Sequence, residues 1–193
     1  MRRRTLALSI GAALAVTVTI ASAAPNFGLE LLPAHTATAP RARLDATFAR
    51  AVDAEIARAE IGSTDDALQL ALRVTGEHLH FGLGHSTRLV FDGQEREANC
   101  IEYAHLFATV FRSAATRSGI GATAYVVHSA HARVYGMRVP LNGFGDHDWV
   151  FVVDRDGRRF YVDPTLFDAG LGWDVSGSVR GQVAVAMPPA RKR

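Results

Sequence analysis

The spacing of apolar and polar positions divides the chain into a helical half followed by a half of short strands. From Leu44, apolar and small residues recur at Phe48, Val52, Ile56 and Ala59 with charges between them. That spacing predicts an amphipathic helix. The run GSTD at 62–65 closes this helix and opens another. Ser63 or Thr64 serves as N-cap, and Asp65 and Asp66 sit where the helix dipole favours acids. Ala67, Leu68, Leu70, Ala71 and Val74 carry the second helix to about His78. Residues 79–91, LHFGLGHSTRLVF, are mixed and broken by glycine, which predicts a loop with a short strand. Residues 92–99, DGQEREAN, are a polar approach to the next element.

From Cys100 to Ser118 the helical period returns, with Ala104, Phe107, Ala108, Phe111 and Ala115 on one stripe. Asn99 is a good N-cap and Gly119 suits the position just past the last turn. Beyond it, ATAYVVH, ARVYGMRV, DWVFVV and RRFYVD are short and rich in Val, Tyr and Phe, as strands are. Helices followed by an antiparallel sheet predict an α+β fold. At 193 residues one domain is the default.

Composition refines this picture at the ends. MRRR followed by an uncharged, mostly apolar run to Ile20 and by ASA at 21–23 predicts a secretory signal peptide over 1–23, rather than an uncleaved anchor. Residues 24–43, rich in Ala, Pro and Thr, read as a linker, 44–185 as the folded domain, and 186–193 as a disordered basic tail. Removing Arg2, Arg3 and Arg4 leaves 18 basic against 19 acidic residues, so the mature chain is close to neutral. No nucleic acid is expected as a partner, and no membrane span after cleavage. The expected location is periplasmic or secreted, and the expected state a monomer.

An exported chain with a single cysteine cannot form an internal disulfide. Cys100 is therefore a reactive thiol, a bridge to another chain, or an inert buried residue. Its place at the first turn of a helix favours reactivity. Unpaired N–H groups and the dipole there stabilise a thiolate and can serve an oxyanion. A thiolate nucleophile calls for a base with an orienting partner. His147 opens the strand HDWVFVV, DRDG at 154–157 is turn chemistry, and RRFYVD is the return strand. A three-residue loop over Asp154–Asp156 would pair Val153 with Gly157 and set His147 opposite Asp163. Their Cβ atoms would then lie about 5 Å apart.

Together, NCIEYAHLFATVFRSA, GIGATAYVV, HDWVFVV and YVDPT resemble the transglutaminase-like superfamily, within the papain-like cysteine-enzyme fold. Cys100, Gly119-Ile120, His147 with Trp149, and Asp163-Pro164-Thr165 follow that family's order and approximate spacing over residues 64–170. The resemblance implies a papain-like core with the cysteine-bearing helix packed on an antiparallel sheet. It also implies a Cys100–His147–Asp163 triad acting through a thioester. The function expected is an exported cysteine peptidase or amidase acting on protein or peptide. Alternatives are transglutaminase-type transfer to an amine, which cross-links proteins, and a non-catalytic peptide-binding domain on the same scaffold. The run of Cys100, Glu102, Tyr103 and Ala104 is also similar to bacterial transglutaminase-like cysteine proteinases. Some of these bind calcium, but the full acidic run is lacking here, so no cofactor or metal is expected.

The backbone N–H of Cys100 is the first oxyanion donor to consider. Gln94 stands six residues upstream, as the oxyanion glutamine of papain-like proteases does. Asn99 reads as a cap before a donor. Trp149 either walls the site or fills the core. Asp146 and Asp148 flank His147 and would raise its pKa or solvate the strand end. His78, His80 and His85, like His128 and His131, read as ordinary surface or loop histidines, and His105 as a polar-face residue of its helix.

Overall fold

The computed structural model describes residues 28–34, 36–82, 87–138 and 146–185, with the backbone alone of His131 and Arg138. The expected signal peptide and C-terminal tail, and His85, lie outside the described residues. Among the described residues the protein is α+β, with four helices and a five-stranded antiparallel sheet.

The helices follow their apolar stripes. Helix α1, Ala46–Arg58, buries Phe48, Val52 and Ile56, and the Asp45 side chain accepts the N–H groups of Thr47 and Phe48. Helix α2, Thr64–His78, is capped by Ser63. Helix α3, Cys100–Arg117, is the core helix and buries Tyr103, Phe107 and Phe111 among others. It ends in a reciprocal C-terminal motif. Gly119 adopts φ +68°, the Gly119 N–H reaches the Thr116 carbonyl, and the Ile120 N–H donates to the Ala115 carbonyl at 2.8 Å. Helix α4, Pro164–Asp168, has Pro164 in its first turn and Asp163 as cap.

Strands β1 (Leu29–Pro33), β6 (Ala122–Val134), β8 (His147–Asp154) and β9 (Arg159–Val162) lie in that order, with β7 (Met137–Arg138) also on β6. Two small parallel pairs stand apart from this sheet: β2 (Arg43–Leu44) with β4 (Val90–Phe91), and β3 (Leu79–Phe81) with β5 (Arg96–Ala98). Side chains alternate across the sheet. Val126, Val150 and Val152 pack with the helices in the larger core. Val127, Trp149 and Phe151 pack on the other face with Leu31, Ala37 and Val175.

Four expectations change. The segment read as a linker is part of the fold. β1 pairs with β6, Leu31 is fully buried, and the N–H of Arg41 is held by His105 of α3. Three leucines mark this strand, and the Ala, Pro and Thr around it hide them. The polar approach at 92–99 holds β5, because a strand three residues long carries no readable period. Residues 133–138 of the run ARVYGMRV form a hairpin: Val134 pairs with Met137 across Tyr135-Gly136, at φ 52° and 74°, the positive pair that a two-residue turn requires. The loop between β8 and β9 has the expected three residues but begins one later. Asp154 and Arg158 close it, Asp154 Oδ1 accepts the N–H groups of Asp156 and Arg158, and Gly157 takes φ +79°. Val153 consequently pairs with Arg159. The whole register moves by two, which leaves every side chain on its expected face.

Candidate active site

Cys100 is the first residue of α3 and is partly exposed. The turn around it is fixed by reciprocal capping. Asn99 Oδ1 accepts the N–H groups of Ile101 and Glu102, and Glu102 Oε2 accepts the Asn99 N–H at 3.0 Å. This cap does not use the Cys100 N–H, one of the groups that a helix start leaves without an internal partner. Glu102 is fully buried, and its Oε1 accepts the Arg88 N–H and forms an ion pair with Arg96. The carboxylate thus pins the chain on both sides of β4 to the turn that carries the thiol.

His147 is the first residue of β8, and Asp163 follows the last residue of β9. His147 Nε2 lies 2.6 Å from Asp163 Oδ2. The β8–β9 ladder ends at Val150 with Val162, so the contact lies beyond the paired residues and is completed where the chain turns into α4. Asp163 is fully buried, and its other oxygen accepts the N–H groups of Thr165 and Leu166. With Nε2 taken, Nδ1 is the ring nitrogen left to face Cys100, whose side chain lies near enough to His147 to help raise its pKa. Burial opposes charging of this imidazole. The Asp163 charge and hydrogen bond, helped by Cys100, outweigh it and hold the His147 pKa well above the ordinary value. Cys100, His147 and Asp163 therefore form one connected chain of side chains.

The other expected residues separate. Gln94 is exposed in the β4–β5 loop, with its N–H on Asp92 Oδ1. Asn99 is spent on capping. Trp149 is fully buried in the second core, stacked on Tyr161, and its Nε1 donates to Ser129 Oγ. His78 is bonded to the Val74 carbonyl and packs on Phe48, and exposed His80 contacts Glu95. The side chain of His131 lies outside the described residues. Among the described residues no group of three or more His, Cys, Asp and Glu side chains is arranged to hold a metal ion. No described helix is long and apolar enough to cross a membrane.

Two histidines differ from their sequence reading. His105 is buried rather than on a polar face, and its Nδ1 accepts the Arg41 N–H. Burial, with the Arg41 charge, lowers its pKa to about 4. His128 is not a lone surface residue: its Nδ1 lies 2.6 Å from Asp148 Oδ1. Burial raises the Asp148 pKa, and His128 opposes that rise. Nor did the sequence reading pair Tyr103 with Asp168, whose Oδ2 accepts the buried phenol at 2.6 Å. In the strands, the alternation HDW, which puts His147 and Asp148 on opposite faces, was the signal for a second histidine–carboxylate pair.

No family model, curated protein or solved structure matches this chain, which leaves the reading of the site to its own geometry.

Proposed function

We propose that the protein is an exported cysteine-dependent peptidase or amidase of the transglutaminase-like, papain-like type. The single observation that carries this reading is His147 held by buried Asp163 at 2.6 Å with the Cys100 side chain beside it. A raised His147 pKa favours the imidazolium, the proton donor the reaction needs, beside the nucleophilic sulfur. Cys100 Sγ forms a bond to the carbonyl carbon of an amide. The carbonyl oxygen gains the charge, and the Cys100 N–H is placed to receive it. The C–N bond then breaks, and the His147 proton goes to the departing amine. Water attacks the resulting thioester as His147 takes its proton, which releases the acid and restores the thiolate. Asp163 holds the imidazole in one tautomer and orientation throughout.

Mass spectrometry of peptides incubated with wild-type and Cys100→Ala protein tests this. The expected outcome is chain cleavage or side-chain deamidation by the wild type alone. Loss of ammonia with a new cross-link would assign transfer to an amine instead. Equal activity of the Cys100→Ala variant would remove Cys100 from the chemistry.

A further inference from the structure

His105 is a buried titratable group that the steps above do not use. It lies in the second turn of α3, only 1% exposed, and its Nδ1 accepts the Arg41 N–H at 2.8 Å. The segment that carries Arg41 runs over α3 and β6 between two anchors. At one end buried Ala37 donates its N–H to the Ala184 carbonyl, and at the other the Arg43 N–H reaches the Leu89 carbonyl. Between them Thr38 exchanges both backbone groups with Val126 of β6. Thr36, Thr38 and Arg41 thereby close one side of a cavity of about 320 Å³, whose other walls include Ile101, His105 and Val126.

The backbone-to-backbone contacts of this segment do not respond to pH, but the contact to His105 does. An imidazole nitrogen either accepts an N–H or carries a proton, never both. Protonating Nδ1 removes the acceptor and sets one N–H against another. In the closed segment burial, with the Arg41 charge, opposes that step and lowers the His105 pKa to about 4. Once the segment lifts and water reaches the ring, the ordinary value of about 6.5 returns. Between these values the open form binds more protons than the closed one. The contribution of His105 to closure is therefore complete above about pH 6.5 and is lost as pH falls toward 4. The charged groups around the cavity do not oppose the change. Arg41 on the segment and His128 on β6 are bases. Burial raises the pKa of Asp148 on β8, so its negative charge weakens as acid is added. On α3 itself Glu102 is turned to Arg96 and the Arg88 N–H.

We propose that residues 36–43 are an acid-released strap: protonation of His105 frees Arg41 from α3 and uncovers Val126, while the helices and the sheet stay folded. The device is independent of what Cys100 does. Amide hydrogen exchange followed by NMR tests it. Protection of the Arg41 and Val126 amides, corrected for intrinsic exchange, is expected to fall by more than about 100-fold between about pH 6.5 and 4. The amides of Phe107 in α3 and Val150 in β8 should keep theirs, and the His105 ring should titrate near pH 4. His105→Asn sets an amide oxygen where Nδ1 stood and takes up no proton, so its Arg41 protection should stay level across the range. Should that variant not fold, Arg41→Gln keeps the backbone N–H and removes the nearby charge. It should move the His105 titration to higher pH and shrink the fall in protection. A His105 ring that titrates near pH 6.5, unchanged Arg41 protection, or a fall as large as the wild type's in either variant overturns the latch. Equal loss of protection at Arg41, Phe107 and Val150 means unfolding of the whole protein and overturns the strap.

Discussion

Asp163 is where a residue of the site is also a residue of the fold. One oxygen caps α4 and the other orients His147. Two substitutions separate these tasks. Asp163→Asn keeps the capping oxygen but turns an amide NH₂ toward the imidazole. Its kcat/KM is expected to fall by about 10³–10⁴-fold. Asp163→Ala loses the cap as well and is expected to be about 1 kcal/mol less stable than Asp163→Asn in urea unfolding. Equal stabilities would show that the cap contributes nothing.

His147 yields a pH dependence at the same scale. Its folded pKa is raised above the ordinary imidazole value, so the favourable contribution of its pairing is complete below about pH 6.5. That contribution is lost as pH climbs through the raised folded value. The stability gap between wild type and His147→Gln should narrow on titration upward from pH 6.5, and a gap that widens contradicts the pairing. Activity should fall over the same alkaline range, and Asp163→Asn should bring that limb to lower pH. These three residues were legible in the sequence because residue type, chain order and strand parity agreed. The register was not legible: Asp154, taken as the first loop residue, ties down the turn with its own carboxylate and so belongs to the strand.

Among the elements, α3 bears the most on chemistry. Its stripe, its cap at Asn99 and its glycine stop could all be read from spacing. The depth of Glu102 could not, because an acid in a first turn is explained by the dipole alone. The buried carboxylate, with Arg96 on it and two backbone donors, needs its charge. Glu102→Gln is expected to cost about 3 kcal/mol, since Arg96 keeps its charge and loses its counter-ion. It should also slow alkylation of Cys100, because the loosened turn carries the thiol. A variant that unfolds at the wild-type urea midpoint would reduce Glu102 to a surface-like role. Of the short strands β2–β5 only one was expected, within 79–91, for a related reason. Each is two or three residues long, and pairing with a neighbour, rather than internal pattern, makes it a strand.

For the whole molecule, the N-terminal strand alters what counts as the domain. The second core is built between the far face of the sheet and segments from both ends of the described chain, with Leu31 and Val175 among its members. Leu31→Ala is expected to cost about 2–5 kcal/mol, measured by chemical denaturation. A linker residue would cost almost nothing. Chains trimmed to begin at Leu44 should likewise fail to unfold cooperatively, having lost both β1 and the Arg41 contact to His105. The helical core was readable because its contacts run along continuous stripes. The second core was not, because it joins segments about 140 residues apart, which no local period reports.

Helix α4 touches neither the sulfur nor the substrate in the steps above, yet it fixes the distance between the reacting partners. Its cap, Asp163, is fastened to the strand of the imidazole, and its last residue, Asp168, is fastened through Tyr103 to the helix of the thiol. Five residues thus close a triangle whose other two sides are α3 and β8. A triangle is rigid while all its corners hold. If one turn of α4 opens, the nucleophile and its base are no longer braced against each other, even though each remains in its own intact element.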